Sequence, residues 1–146
     1  MKLSSVAFQH QKSIPSKYTC DDSDVSPPLQ ISGVPPNAKS LALVMDDPDA
    51  PMGTWDHLVM WNLSPDTEIK EGTLPKGTVG KNSWGKTNYG GPCPPSGTHR
   101  YFFKLYALDT VLNLPAGSTK KQLKAAMKGH ILAEAVLMGT YQRTKR

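Results

Sequence analysis

The sequence predicts a single mostly-β domain spanning residues 1–146, with one or two short helices. Two observations carry this reading. Thirteen prolines and twelve glycines fall in clusters that separate short apolar runs, the punctuation expected of many strands joined by turns. Those runs are too short for core helices and are rich in aromatic and aliphatic side chains. The helix content expected from this pattern is about 10–20%, below the usual globular share.

The first strand is expected at Leu41-Ala42-Leu43-Val44-Met45, ended by Asp46-Asp47-Pro48. A second is expected from His57 to Leu63, ended by Ser64-Pro65, and the clearest from Arg100 to Leu108. Between the first two lies a stretch with two prolines and four carboxylates, from Asp46 to Asp56, read as a stiff acidic loop. Thr119 and Gln122 have the spacing of a capping box, Leu123, Ala126 and Met127 supply an apolar stripe, and Gly129 is a natural stop. A short helix over 120–128 follows. From Ile131 to Tyr141 the pattern fits either a helix extension or a strand, and a final strand near 137–142 is preferred.

Composition narrows the function classes. Hydrophobic residues at 38% and charged residues at 20% describe a globule and not a disordered chain. The formal charge of +5 comes from scattered basic residues, apart from Lys120, Lys121, Lys124 and Lys128 and the tail Arg143, Lys145 and Arg146. Neither group is interleaved with aromatics, so both are read as a solvated helix face and a frayed tail, and no nucleic-acid partner is expected. The amino terminus lacks the apolar core of a signal peptide, and no run is long enough to span a membrane. A cytoplasmic protein without stable membrane insertion is expected. Cys20 and Cys93 are no disulfide framework and are expected as free thiols, a bridge requiring Cα atoms within about 7 Å.

The residues with chemical potential sit where stiff loops become strands. His57 opens one strand and is expected to share a face with Val59 and Trp61. His99 and Tyr101 share a face at the start of another, after a Gly- and Pro-rich loop whose N–H groups suit an anion. Two histidines and a carboxylate are the minimum for a non-haem metal, but no HxH or HExxH spacing is present, so no metal and no cofactor are expected. Ser96 lies near His99, yet no Gly-x-Ser-x-Gly elbow, P-loop or paired metal carboxylates accompany it.

The blocks Asp47-Pro48-Asp49-Ala50-Pro51, followed by Trp55 and His57, and Gly91 through Tyr101 resemble the two signature regions of the phosphatidylethanolamine-binding protein family. More closely, the chain resembles its compact bacterial and archaeal branch, termed Raf-kinase-inhibitor-like. Lys17-Tyr18-Thr19-Cys20-Asp21 with Ser26-Pro27-Pro28-Leu29, and Gly129-His130-Ile131-Leu132-Ala133 with Gly139-Thr140-Tyr141, extend the likeness over nearly the whole chain. The resemblance implies an antiparallel β-sandwich with a large central sheet and a smaller second one. It further implies a pocket at one end of the sheet for phosphate or a phosphoethanolamine headgroup, walled by Asp47, Pro51, Trp55, His57, Gly91, Pro94, His99 and Tyr101. It makes Ala50–Pro51 a candidate cis peptide, a homodimer a candidate assembly, and a protein kinase or protease a candidate partner. Asp47 then has two readings: it orients a histidine, or it meets the ammonium of an ethanolamine.

The expected function is non-enzymatic binding of a small anionic or phosphate-bearing ligand, coupled to modulation of a protein partner. The alternative is a kinase or protease inhibitor whose pocket is only regulatory or structural. Purified protein is accordingly expected not to turn over ester, phosphoester or peptide substrates. Activity that co-purified with the chain and vanished in Ser96→Ala or His99→Ala would overturn this.

Overall fold

The three apolar runs become the middle of one sheet. In the computed structural model, which describes residues 1–144, β1 (Lys2–Ser4) and β2 (Gln30–Ser32) form a small antiparallel sheet. A larger sheet orders β5 (Thr78–Val79), β4 (Trp55–Leu63), β3 (Ser40–Asp47), β6 (Thr98–Leu108) and β7 (Ile131–Gln142) side by side, all pairs antiparallel. A single α-helix, α1 (Lys120–Met127), lies among the described residues, with a 3₁₀ turn at Ser16–Tyr18. This is the mostly-β, two-sheet architecture expected.

β3 is central, so both of its faces are covered. Leu41, Leu43 and Met45 enter one apolar cluster with Leu3 of β1, Phe8, Ile14, Tyr18 and Leu29. Ala42 and Val44 enter a second, against Leu123 and Met127 of α1. That two-sided burial explains why β3 reads as a continuous apolar run and not an alternating one. The helix begins with the expected capping box, in which the Thr119 side chain accepts from Gln122 N and the Gln122 side chain accepts from Thr119 N.

Several expectations are corrected. The strands extend into the acidic stretch: Asp46 pairs with Asp56 and Asp47 with Trp55, because the neighbouring ladder supplies hydrogen bonds that outweigh local turn preference. Only residues 48–54 remain outside the two strands. β7 starts at Ile131 and not near 137, for Gly129 at φ +83° ends the helix and the whole segment pairs with β6. β1, β2 and β5, two or three residues each, carry too little pattern to be read from sequence.

Cys20 and Cys93 are not free thiols. They form a disulfide with Cα atoms 5.4 Å apart, brought together because Cys20 N donates to the Pro92 carbonyl at 3.1 Å. Ala50–Pro51 is trans, as is every described peptide. The basic helix face is not simply solvated either. Lys120 is 19% exposed at its side chain and bridges Asp46 at 3.1 Å and Asp56 at 2.7 Å, while Arg143 pairs with Asp21 at 3.1 Å. Lys145 and Arg146 of the basic tail lie outside the described residues. No described helix is long and apolar enough to cross a membrane.

Leu105 is fully buried in the centre of β6, opposite Leu43. Leu105→Ala is expected to lower stability by about 2–5 kcal/mol, read as an earlier urea midpoint with an unchanged slope.

Candidate functional site

A bulge in β4 sets the site. Met45 pairs with Leu58 but the next residue of β3, Asp46, pairs with Asp56, leaving His57 as one extra residue opposite β3. An extra residue breaks strict alternation and re-aims a side chain. Val59 and Trp61 stay in the cluster under α1, whereas the His57 ring sits edge-on to Tyr101, centroids 5.2 Å apart. The expectation that His57 shares a face with Val59 and Trp61 is therefore wrong. The bulge turns it to the opposite face, where His99 and Tyr101 stand.

There the two strand ends enclose a cleft of about 290 Å³. Seven of the eight residues named from the sequence line it: Asp47, Pro51, Trp55, His57, Pro94, His99 and Tyr101. Gly91 does not. It lies in an adjoining cleft, its N–H donating to Asp24 Oδ1 at 3.0 Å. A Cβ at Gly91 would stand 2.2 Å from both that oxygen and the Tyr18 carbonyl, so glycine is needed there for close backbone packing.

Both imidazoles are fixed through Nδ1. His57 Nδ1 lies 2.6 Å from the Gly90 carbonyl. A carbonyl only accepts, so Nδ1 bears the hydrogen. His99 Nδ1 donates to Asp47 Oδ2 at 2.6 Å. Of the two readings of Asp47, the geometry selects orientation of a histidine. Asp47 Oδ1 accepts from Asp49 N at 2.7 Å, and the Tyr101 hydroxyl also hydrogen-bonds the carboxylate. Among the described residues nothing engages Nε2 of either ring. In the neutral form each Nε2 is thus an acceptor, and on protonation it becomes a charge-assisted donor.

Electrostatics separate the groups. Burial lowers the His57 pKa, against smaller opposing effects of the Gly90 carbonyl and of Asp47, Asp46 and Asp56. Burial, with Asp47 beside it, pushes the Tyr101 hydroxyl far above its usual value, so it remains neutral. Asp49 is held down at about 2, first by its hydrogen bonds with the Arg100 side chain. That pair is bidentate, at 2.9 and 2.8 Å, and ties the turn at 48–54 to β6.

The sequence reading missed Trp84. Its ring lies edge-on to His57 at 5.0 Å and to Trp55 at 5.5 Å, closing one wall. Buried Asn82 builds the turn that presents it, accepting from Trp84 N and Lys86 N and donating to the Asn88 carbonyl. The signal available was Asn82-Ser83-Trp84-Gly85, a turn former beside an aromatic. Ala50, Cys93 and Pro95 complete the lining.

Comparison with known proteins agrees with this geometry. Residues 4–142 match the family model described as phosphatidylethanolamine-binding protein. The chain belongs to that family. A UPF0098 protein of Methanothermobacter thermautotrophicus is 54% identical over 150 residues, covering 98% of this chain and 99% of the relative. One from Pyrococcus horikoshii is 48% identical, covering 98% and 77%. A solved phosphatidylethanolamine-binding protein homologue from Chlamydia trachomatis superposes with a TM-score of 0.95 at 47% identity, over 97% of each chain. Escherichia coli YbcL, described as a member of the mammalian family, superposes with 0.89 at 27% identity, over 98% of each.

The lowered pKa of His57 sets a sign for stability. As pH falls below about 6.5 the unfolded chain takes up the proton first. The contribution of the buried neutral ring is therefore complete above that pH and declines as pH drops toward the folded-state value. An NMR titration is expected to place His57 below free histidine, with the His57→Gln variant losing that part of the acid slope in urea denaturation. A ring titrating above 6.5 would contradict the burial argument.

Proposed function

We propose that the cleft binds a small anionic ligand bearing a phosphate-like group, without catalysing a reaction. The observation that carries this is the pair of inward-facing imidazoles, each anchored at Nδ1 and presenting Nε2 to one cleft. Two Nε2 atoms with fixed direction suit an oxyanion, and the surrounding Trp55, Trp84, Pro94 and Tyr101 exclude water and strengthen each contact. Family membership makes ligand binding a natural role.

The tautomers refine the ligand's state. A neutral ring offers a lone pair, so it takes a hydrogen-bearing oxyanion such as a monoprotonated phosphate by accepting its P–OH. A protonated ring donates to a bare phosphate oxygen. In either case the complex holds one more proton than the two deprotonated partners, so affinity rises as pH falls toward about 6 and declines below it, where both free partners are already protonated. Asp47 does not defeat the anion, because its oxygens are already used by His99, Asp49 N and Tyr101.

A second reading, docking of a protein partner such as a kinase or protease over the same mouth, is favoured by two exposed apolar side chains. Met52, next to Pro51, is 96% exposed and Trp84 44%. An apolar rim around an anion pocket fits a phosphorylated segment of a protein.

Titration with inorganic phosphate and phosphoethanolamine, followed by the histidine ring resonances, tests the proposal. Millimolar ligand is expected to shift both rings, more at pH 6 than at pH 8. His57→Ala and His99→Ala are each expected to weaken binding about tenfold, the loss of one charge-assisted contact. Rings that stay still, or alanine variants that bind like the parent, would make these histidines structural.

A further inference from the structure

We propose that the Cys20–Cys93 disulfide is a thiol–disulfide exchange site through which a dithiol reductant resets the His57–His99 cleft. The consequence for ligand affinity rests on the reading of that cleft as an anion site. The exchange site itself does not.

The bridge has the placement of an addressable group. Both cysteines lie in loops outside regular structure, one after the 3₁₀ turn and one between β5 and β6. Cys93 is exposed and Cys20 half-buried, so a thiolate has access from the Cys93 side. Neither cysteine belongs to the apolar clusters on the two faces of the large sheet. Opening the bridge therefore leaves the sheet and its core in place. A cytoplasmic location, the expectation from sequence, would bathe the bridge in reducing thiols, where persisting disulfides tend to be labile and regulatory.

The bridge is also joined to the site. Cys93 lines both the histidine cleft and the neighbouring cleft that holds Asp24 and Gly91. Tyr101, which lines the same cleft, stands beside Asp47, and Asp47 holds His99. The wall Cys93 belongs to is poor in backbone donors. Pro92, Pro94 and Pro95 have no N–H to give. Its hydrogen bonds to the rest of the fold include Gly90 N to the His57 carbonyl at 3.2 Å, the Gly90 carbonyl to His57 Nδ1 at 2.6 Å, Gly91 N to Asp24 Oδ1 at 3.0 Å and Cys20 N to the Pro92 carbonyl at 3.1 Å. Without the covalent tie, the wall and the Tyr101–Asp47–His99 chain behind it gain freedom, and a ligand must order them on binding.

The exchange balances as follows. A thiolate of the dithiol bonds to Cys93 Sγ, the bond between the two Sγ atoms breaks, and Cys20 leaves as a thiolate that takes a proton. The second thiol of the reagent, losing its own proton, then bonds to the first reagent sulfur and displaces Cys93, which is protonated in turn. Two electrons pass from the dithiol, which becomes a disulfide, to the protein.

Dithiothreitol is added to the native chain without denaturant, and thiols are counted by maleimide labelling and mass. Two labelled cysteines with an unchanged far-UV CD spectrum are expected, together with shifts of the His99 and Tyr101 ring resonances that reverse on reoxidation. The phosphate dissociation constant is expected to rise about threefold to tenfold on reduction, as the competent wall becomes only partly populated. The Cys20→Ala/Cys93→Ala double variant is expected to match the reduced form; should it not fold, the reduced parent chain carries the same measurement. Thiols that appear only with loss of the CD spectrum, or ring resonances unmoved by reduction, would overturn the proposal. Phosphate that binds neither form would overturn the anion reading instead, and ring shifts on reduction would then still support an exchange site coupled to the cleft.

Discussion

Everything at the site depends on one extra residue in β4. Without the bulge, strict alternation would send His57 toward α1 with Val59 and Trp61. With it, Asp56 keeps to the helix side and meets Lys120, while His57 crosses to meet Tyr101. The same bulge thus creates two environments a few ångströms apart. One is a charged clamp of Asp46 and Asp56 around Lys120. The other is a half-aromatic cleft holding two imidazoles.

The clamp helps to explain why the cleft can tolerate carboxylates so near. Asp46 is 2% exposed at its side chain and would be costly unpaired; Lys104 and Lys120 both reach it, at 3.0 and 3.1 Å. Asp47 on the opposite face spends its oxygens on His99, Asp49 N and Tyr101. Asp49 faces away into its pair with Arg100. Each acid of the stretch therefore has a partner, and Asp47, the one that lines the cleft, has its oxygens engaged in hydrogen bonds. Desolvation dominates His57, keeping its neutral form favoured, and this gives the site a ligand preference tied to protonation.

Positioning relies on backbone as much as on side chains. The Gly90 carbonyl sets the tautomer of His57, Asn82 sets the turn that carries Trp84, and glycine at 91 admits the close approach of the Tyr18 loop. The first and last of these join segments far apart in the chain, so the cleft is assembled by the sheet and loops together. Its walls sit on strand ends, on the turn at 48–54, on the turn that carries Trp84, and on one proline-rich loop held partly by a disulfide.

The fold class, the three core strands and the capped helix could be read from the sequence, and its resemblance to a known family named seven of the residues that line the cleft. The elements were legible because apolar runs and capping spacing are local patterns that survive without knowledge of neighbours, and the site residues because the paired motif resembles that of the family. The tertiary structure alone decided the rest. Strand ends at Asp46, Asp47, Trp55 and Asp56 depend on partners that outweigh turn preference. The first half of β7 is strand because β6 lies beside it. The face chosen by His57 depends on a register shift between two strands, which no period within one strand can report. Cys20 and Cys93 pair because loops 73 residues apart meet, and Trp84 joins the site because a turn outside both motifs folds back over it. Periodicity tells which side chains share a face. Which face that is, and what waits there, is set by the pairing of distant strands.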